Sequence, residues 1–111
     1  MPDFERGDVV RVPFPYTDRS TRQHRPALVV SDGPLGDGER LLWFVMITSA
    51  KNRPWADDVP LGDRYAEAGL PAPSVIRPAK IATIDTAVAT RLGRIDDERL
   101  ARTMAVIRAN L

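Results

Sequence analysis

The stretch Arg25-Pro26-Ala27-Leu28-Val29-Val30, with the apolar run Leu41-Leu42-Trp43-Phe44-Val45-Met46-Ile47 that ends at Thr48-Ser49-Ala50-Lys51, decides how the rest of the chain is read. Both runs are nearly continuous in aliphatic and aromatic side chains, the pattern of strands buried on both faces. Gly33, Pro34, Gly36 and Gly38 make the segment between them a loop. If the two strands pair antiparallel, the start of the first lies near the end of the second. Arg25, Thr48 and Ser49 then converge on one edge of the sheet.

Outward from this pair, residues 7–14 alternate as a strand, with Val10, Val12 and Phe14 on one face. Pro13 and Pro15 mark its end and suit a strand at a sheet edge. Residues 16–24 form a polar connection too long for a tight turn. Downstream, 58–61 reads as a short strand, and 63–68 as one or two helical turns capped by Asp63 and stopped by Gly69. Pro71 and Pro73 exclude regular structure up to Ser74. Residues 75–84 follow as a strand with a break at Pro78. Residues 86–90 read equally as turn or helix, and 92–95 as a short strand. The end of the chain is the clearest helix, with Asp96 as cap, Asp97 and Glu98 in the first turn and Arg108 in the last. Leu100, Met104, Ile107 and Leu111 line one stripe of it, suited to core or dimer packing. The elements predict a mainly β fold with a C-terminal helix, a small, partly open β-barrel in a single domain spanning 1–111.

Composition narrows the chemistry. Apolar residues make up 43% and charged residues 28% of the 111, the balance of an ordinary globular domain. Without cysteine there are no disulfides, iron–sulfur clusters or thiolate zinc sites, and one histidine, His24, excludes a multi-histidine metal centre. The acidic start Met1-Pro2-Asp3-Phe4-Glu5 has no apolar core, and no run approaches the roughly 20 residues a spanning helix needs. A soluble cytoplasmic protein with no membrane partner is expected. Net charge is +1, yet the cations fall in blocks: Arg11 to Arg25, Arg40 to Arg53 and Arg77 to Arg94. All but two of the 16 cations are arginine. Blocks of this kind suit either a solvated surface or a phosphate-bearing partner gripped by bidentate contacts.

No phosphate loop, metal-ligand cluster or Gly-x-Ser-x-Gly elbow occurs. What remains is arginine, hydroxyl and lysine at strand ends beside basic loops, a set suited to gripping a phosphodiester and stabilising charge built on it. In this order, Arg6-Gly7-Asp8-Val9-Val10, Pro13-Phe14, His24-Arg25-Pro26-Ala27-Leu28-Val29-Val30-Ser31, Ile47-Thr48-Ser49 and Val75-Ile76-Arg77-Pro78-Ala79-Lys80-Ile81-Ala82-Thr83-Ile84-Asp85 resemble the MazF/PemK-type toxins. The likeness runs over nearly the whole chain. It implies an SH3-like barrel of the MazF/PemK/CcdB type, homodimeric, acting as a sequence-selective endoribonuclease of a type II toxin–antitoxin pair. By that resemblance Arg25 and Thr48, helped by Ser49, are the catalytic positions. The RNA's own 2′-hydroxyl is the nucleophile, and the products carry a 2′,3′-cyclic phosphate and a 5′-hydroxyl. No metal or other cofactor is needed. Arg77 and Lys80 are expected to contact phosphates beside the scissile one, with Arg22, Lys51 and Arg53 extending the path. Trp55 suits either stacking on an unpaired base or pinning its own loop. A cognate antitoxin would cover the RNA site with an acidic, extended tail.

The chain departs from the family at two places. Some relatives use an aspartate two residues beyond the arginine that corresponds to Arg77 as general base, and here that position is Ala79. Others carry a glutamate five residues before the catalytic arginine, where this chain has Ser20. Histidine is a side chain suited to act as a base near neutral pH, but strand alternation turns His24 to the face opposite Arg25, so it is read as structural or as an RNA contact. Two other readings remain: a non-enzymatic gyrase inhibitor on the same barrel, and an inactive RNA-binding relative. The intact Arg25 and Thr48 argue against the first, and the alanine at position 79 keeps the second open.

Overall fold

The structure, a computed structural model, describes residues 4–14 and 23–111. Among them six strands form one antiparallel sheet: β1 (Asp8–Phe14), β2 (Gln23–Val29), β3 (Leu41–Ser49), β4 (Val59–Pro60), β5 (Ser74–Asp85) and β6 (Thr90–Arg94). The helix α1 (Asp97–Ala109) follows. The spatial order is β4-β5-β3-β2-β1-β6.

β2 and β3 are thus the two central strands, which is why their sequences are apolar on both faces. Ala27 and Val29 pack with Val10, Val12, Leu42, Phe44 and Met46 on one side. Leu28 and Val30 pack with Val45, Ile47, Leu61 and Met104 on the other. Each fully buried Leu, Val, Ile or Phe among them contributes about 1.5–3 kcal/mol relative to exposure. The second face is covered by α1. Asp96 caps this helix by accepting the Arg99 N–H at 3.1 Å. The Arg99 Nε in turn donates to the Pro60 carbonyl at 2.9 Å, tying the first turn to β4. At the opposite edge, buried Asp8 accepts from Arg91 Nη2 at 2.6 Å and Arg94 Nη1 at 3.2 Å, fastening β6 to β1.

The sheet curls, and its edges meet through a turn. From β4 the chain enters a 3₁₀ turn, Gly62–Tyr65, and reaches Ala68 and Gly69 against Leu92 and Gly93 of β6. Two glycines make this approach possible. A Cβ on Gly93 would stand 2.5 Å from the Ala68 carbonyl carbon, and one on Gly69 would stand 2.1 Å from the Leu92 oxygen. Backbone blocks both positions, so neither clash is relieved by a side-chain rotation. Gly93→Ala is expected to lower stability by about 2 kcal/mol or more, read as a drop in the urea midpoint with unchanged slope.

Several local expectations are corrected. Asp63 does not cap the turn: it lies inside it, after Leu61, and no side-chain cap bond forms there. Gly69, at φ +81°, does end the segment. Pro78 does not break β5 but bulges it. Met46 pairs with Arg77 while the next residue, Val45, pairs with Ile81, so Pro78, Ala79 and Lys80 stand outside the ladder. A residue with no N–H suits such a bulge. Residues 86–90 resolve as a 3₁₀ turn, Thr86–Val88, leading into β6 at Thr90. Asp85 caps that turn by accepting the Ala87 N–H. Leu111 leaves the helical stripe, lying beyond the end of α1 and 96% exposed. No helix of the described residues is long and apolar enough to cross a membrane.

Candidate active site

The antiparallel pairing of β2 and β3 runs Ala27↔Met46, Leu28↔Val45, Val29↔Phe44. Pro26 has no N–H to extend this ladder. Continued through it, the same count sets Arg25 against Thr48 and His24 against Ser49. Alternation then puts Arg25 on the face of Ala27 and Val29, and Thr48 on the face of Phe44 and Met46. Those are the same face. Directly opposed residues of an antiparallel pair hold their Cβ atoms about 4.5–5.5 Å apart. The meeting point is therefore at one end of the two central strands, not at a lateral edge of the sheet.

Arg25 is half-buried and Thr48 is buried. The Thr48 Oγ1 accepts from Asn52 Nδ2 at 2.6 Å. Ser49 turns to the other face and is exposed, its Oγ accepting the Lys51 N–H at 3.2 Å. His24 is exposed and shares that other face. After β3 the chain reverses tightly, the Asn52 N–H donating to the Ser49 carbonyl at 3.1 Å and the Ala50 N–H to Pro73 at 3.0 Å. Lys51 and Arg53 project from this turn into solvent.

Arg77 faces the same side as Thr48 by register, since it pairs with Met46. The Nε and Nη2 of its guanidinium are engaged within the protein. Nε and Nη2 grip Asp58 Oδ1 and Oδ2 at 3.1 and 3.0 Å, and Nη2 also donates to the Arg53 carbonyl at 3.0 Å. The guanidinium carbon stands 4.4 Å from the centre of the Trp55 ring, within range of a cation–π contact. Both side chains of the ion pair are only 8% exposed. Burial alone would push the Asp58 carboxyl upward. The Arg77 hydrogen bonds, the Trp55 N–H and the Arg77 charge outweigh it and hold the group below its ordinary value. Lys80 Nζ stands 5.3 Å from the same Trp55 ring, so Trp55 touches two of the expected cations. Ala79 is exposed in the bulge. Arg22 and Ser20 lie outside the described residues, as does most of the polar connection.

The fold thus gathers Arg25, Thr48, Arg77, Lys80 and Trp55 toward one side, and sets Ser49 and His24 on the other. Two residues here escaped the sequence reading. Asn52 could have been found as an amide in the turn after Thr48, a position where Asn bonds to nearby backbone and hydroxyls. Asp58 reads as the start of a strand and gives no sign of its partner, Arg77.

The profile of the PemK-like, MazF-like toxins of type II toxin–antitoxin systems matches residues 5–111. No functionally curated protein matches the chain in sequence. Among solved structures, MazF of Deinococcus radiodurans superposes with a TM-score of 0.79 at 18% identity, over 99% of this chain and 97% of that one. A MazE–MazF structure from the same organism gives 0.74 at 20% identity, over 99% and 96%. An endoribonuclease in complex with its cognate antitoxin, from a mycobacterial species, gives 0.66 at 18% identity, over 98% and 96%. At such identities these likenesses establish the fold, the curled SH3-like sheet with its terminal helix. The profile, matching nearly the whole length, establishes the family: the chain belongs to the PemK-like, MazF-like toxins of type II toxin–antitoxin systems.

Proposed function

We propose that this toxin is an endoribonuclease that cleaves single-stranded RNA through the RNA's own 2′-hydroxyl, with Arg25 and Thr48 stabilising the transition state. The observation that carries the reading is the shared face of these two residues at one end of the central strands, given by the β2–β3 register. In the step, the 2′-oxygen bonds to phosphorus and the bond to the 5′-oxygen breaks, so negative charge builds on the two non-bridging oxygens. The Arg25 fork suits those oxygens, and the Thr48 hydroxyl supplies a further donor. The 2′-proton passes to water as the bond to phosphorus forms, and the 5′-oxygen takes a proton from water as it departs as a hydroxyl. Ser49, directed to the other face, serves the turn that shapes the site. No added metal is required. A single-stranded RNA incubated in EDTA is expected to yield 2′,3′-cyclic phosphate ends, and a 2′-deoxy substitution at the cut nucleotide abolishes that cut. Undiminished cleavage of the deoxy substrate would refute the nucleophile.

Lys51, Arg53, Lys80 and Arg22 are assigned to flanking phosphates, His24 to the outer margin of the RNA path and Trp55 to a base stacked on its exposed side. Arg77 receives a different role from the one its position in the sequence suggests. Its hydrogen-bonding edge is filled by Asp58 and the Arg53 carbonyl, so it anchors the basic loop instead of meeting phosphate. The protein is assigned to the cytoplasm, with an antitoxin presenting an acidic, extended segment to the basic side.

A homodimer fits the apolar surface beside α1. Trp43 and Ile81, 48% and 53% exposed, flank a groove of about 560 Å³ that Ile107 and Leu111 also line. Asp32 and Arg108 lie at the same groove, so a two-fold related copy can set each against the other's opposite charge. Ile81→Asp is expected to shift the protein from dimer to monomer in analytical ultracentrifugation, and an unchanged dimer mass would exclude this surface.

A further inference from the structure

We propose that Asn52 is a positioning residue for Thr48: it fills an acceptor lone pair of the threonine hydroxyl, so that the single hydroxyl proton is directed to the scissile phosphate. The inference rests on the reading of Thr48 as a phosphate donor. A threonine hydroxyl carries one proton and two lone pairs, and its rotation is set by whatever surrounds it. Without a partner that sets its rotation, a threonine hydroxyl can turn its proton to any acceptor within reach. The Asn52 Nδ2 can only donate, and it lies 2.6 Å from Oγ1. With that lone pair occupied, the proton points away from Asn52. A donor whose orientation is set before substrate arrives needs no reorganisation as charge builds.

The amide is itself held in place. Its own backbone N–H closes the turn onto Ser49 at 3.1 Å. The next residue, Arg53, gives its carbonyl to Arg77 Nη2 at 3.0 Å, and Arg77 is locked by Asp58. One chain of contacts therefore runs from a buried ion pair through the loop backbone to the hydroxyl of the reacting site. It explains why an arginine on the active face is withdrawn from substrate and an aspartate is buried behind it. Asn52 is exposed and fills no core space, so its replacement leaves the fold intact.

The test is a double-mutant cycle in single-turnover RNA cleavage with Asn52→Ala, Thr48→Ala and the pair, together with Asn52→Asp. Losing the orienting bond should lower the maximal rate about tenfold, the upper range for one neutral hydrogen bond, with KM changed less than twofold. In the Thr48→Ala background the same substitution should cost nothing further. Asn52→Asp should be at least as slow as Asn52→Ala, because a carboxylate accepts the Thr48 proton. A phosphorothioate at the non-bridging oxygen facing Thr48 slows the wild type more than it slows Asn52→Ala. Additive losses in the double mutant, a full rate in Asn52→Ala, or a full rate in Asn52→Asp would each overturn the proposal. A full rate in Thr48→Ala would instead remove the donor role of Thr48 on which it rests.

Discussion

Asp58→Ala should destabilise the protein by about 3–5 kcal/mol, the cost of leaving the Arg77 guanidinium buried without its carboxylate. Against a total stability of about 5–15 kcal/mol for a domain of ordinary size, that is a large share. The urea midpoint should fall accordingly. Replacing both partners with apolar groups, Asp58→Leu with Arg77→Met, should recover much of the loss, because the penalty comes from the stranded charge and not from the missing attraction. The recovered protein should still cut RNA slowly, since nothing then holds the Arg53 carbonyl. A pair worth little would show itself as a single mutant with an unchanged midpoint.

The same pair sets an acid limit. The Asp58 carboxyl is held below its ordinary value of 3.8 in the folded chain. It therefore binds a proton less readily folded than unfolded, and its contribution is complete above about pH 5. As pH falls through the ordinary value and then through the lower folded one, that contribution is lost. The stability gap between wild type and Asp58→Ala should accordingly narrow below about pH 4, measured by chemical denaturation at stepped pH.

The central strands and the capped helix were legible because burial and capping leave their mark on every residue involved. An arginine, a proline and four apolar residues in a row have few places in a small domain other than the middle of a sheet. Once the structure sets the register at Ala27↔Met46, counting alone brings Arg25 to Thr48. What was not legible depends on contacts between distant segments. Arg77 looks the same in sequence whether it faces phosphate or Asp58, and only the fold brings those two together across 19 residues. Gly69 and Gly93 read as a helix stop and a strand residue, while their shared purpose, the close passage of the 62–69 turn against β6, appears only when the sheet curls. Pro78 marked a disturbance in β5 correctly, yet nothing local tells a break from a bulge. The opposite facing of Thr48 and Ser49, by contrast, follows from the same strand alternation that separates His24 from Arg25.

The largest effect on activity is expected from Arg25→Ala. Removing one donor to a developing oxyanion typically costs about 10²–10³ in rate, and an arginine contributes charge as well as two parallel hydrogen bonds. Thr48→Ala, which removes a neutral donor, should lie nearer the lower end. Arg25→Lys should recover only part of the loss, because an ammonium keeps the charge without the fork. Each variant keeps the core of Ala27, Val29, Phe44 and Met46 untouched, so circular dichroism and urea midpoints should stay close to wild type. A single measurement brings these expectations together: the single-turnover rate of 2′,3′-cyclic phosphate formation from one single-stranded RNA, in EDTA, by wild type, Arg25→Ala and Thr48→Ala. Cleavage by the wild type, with losses of about 10² or more in both variants, is the expected result. No cyclic phosphate from the wild type, or equal rates in all three proteins, would contradict the assignment of Arg25 and Thr48 as the RNA-cleaving pair.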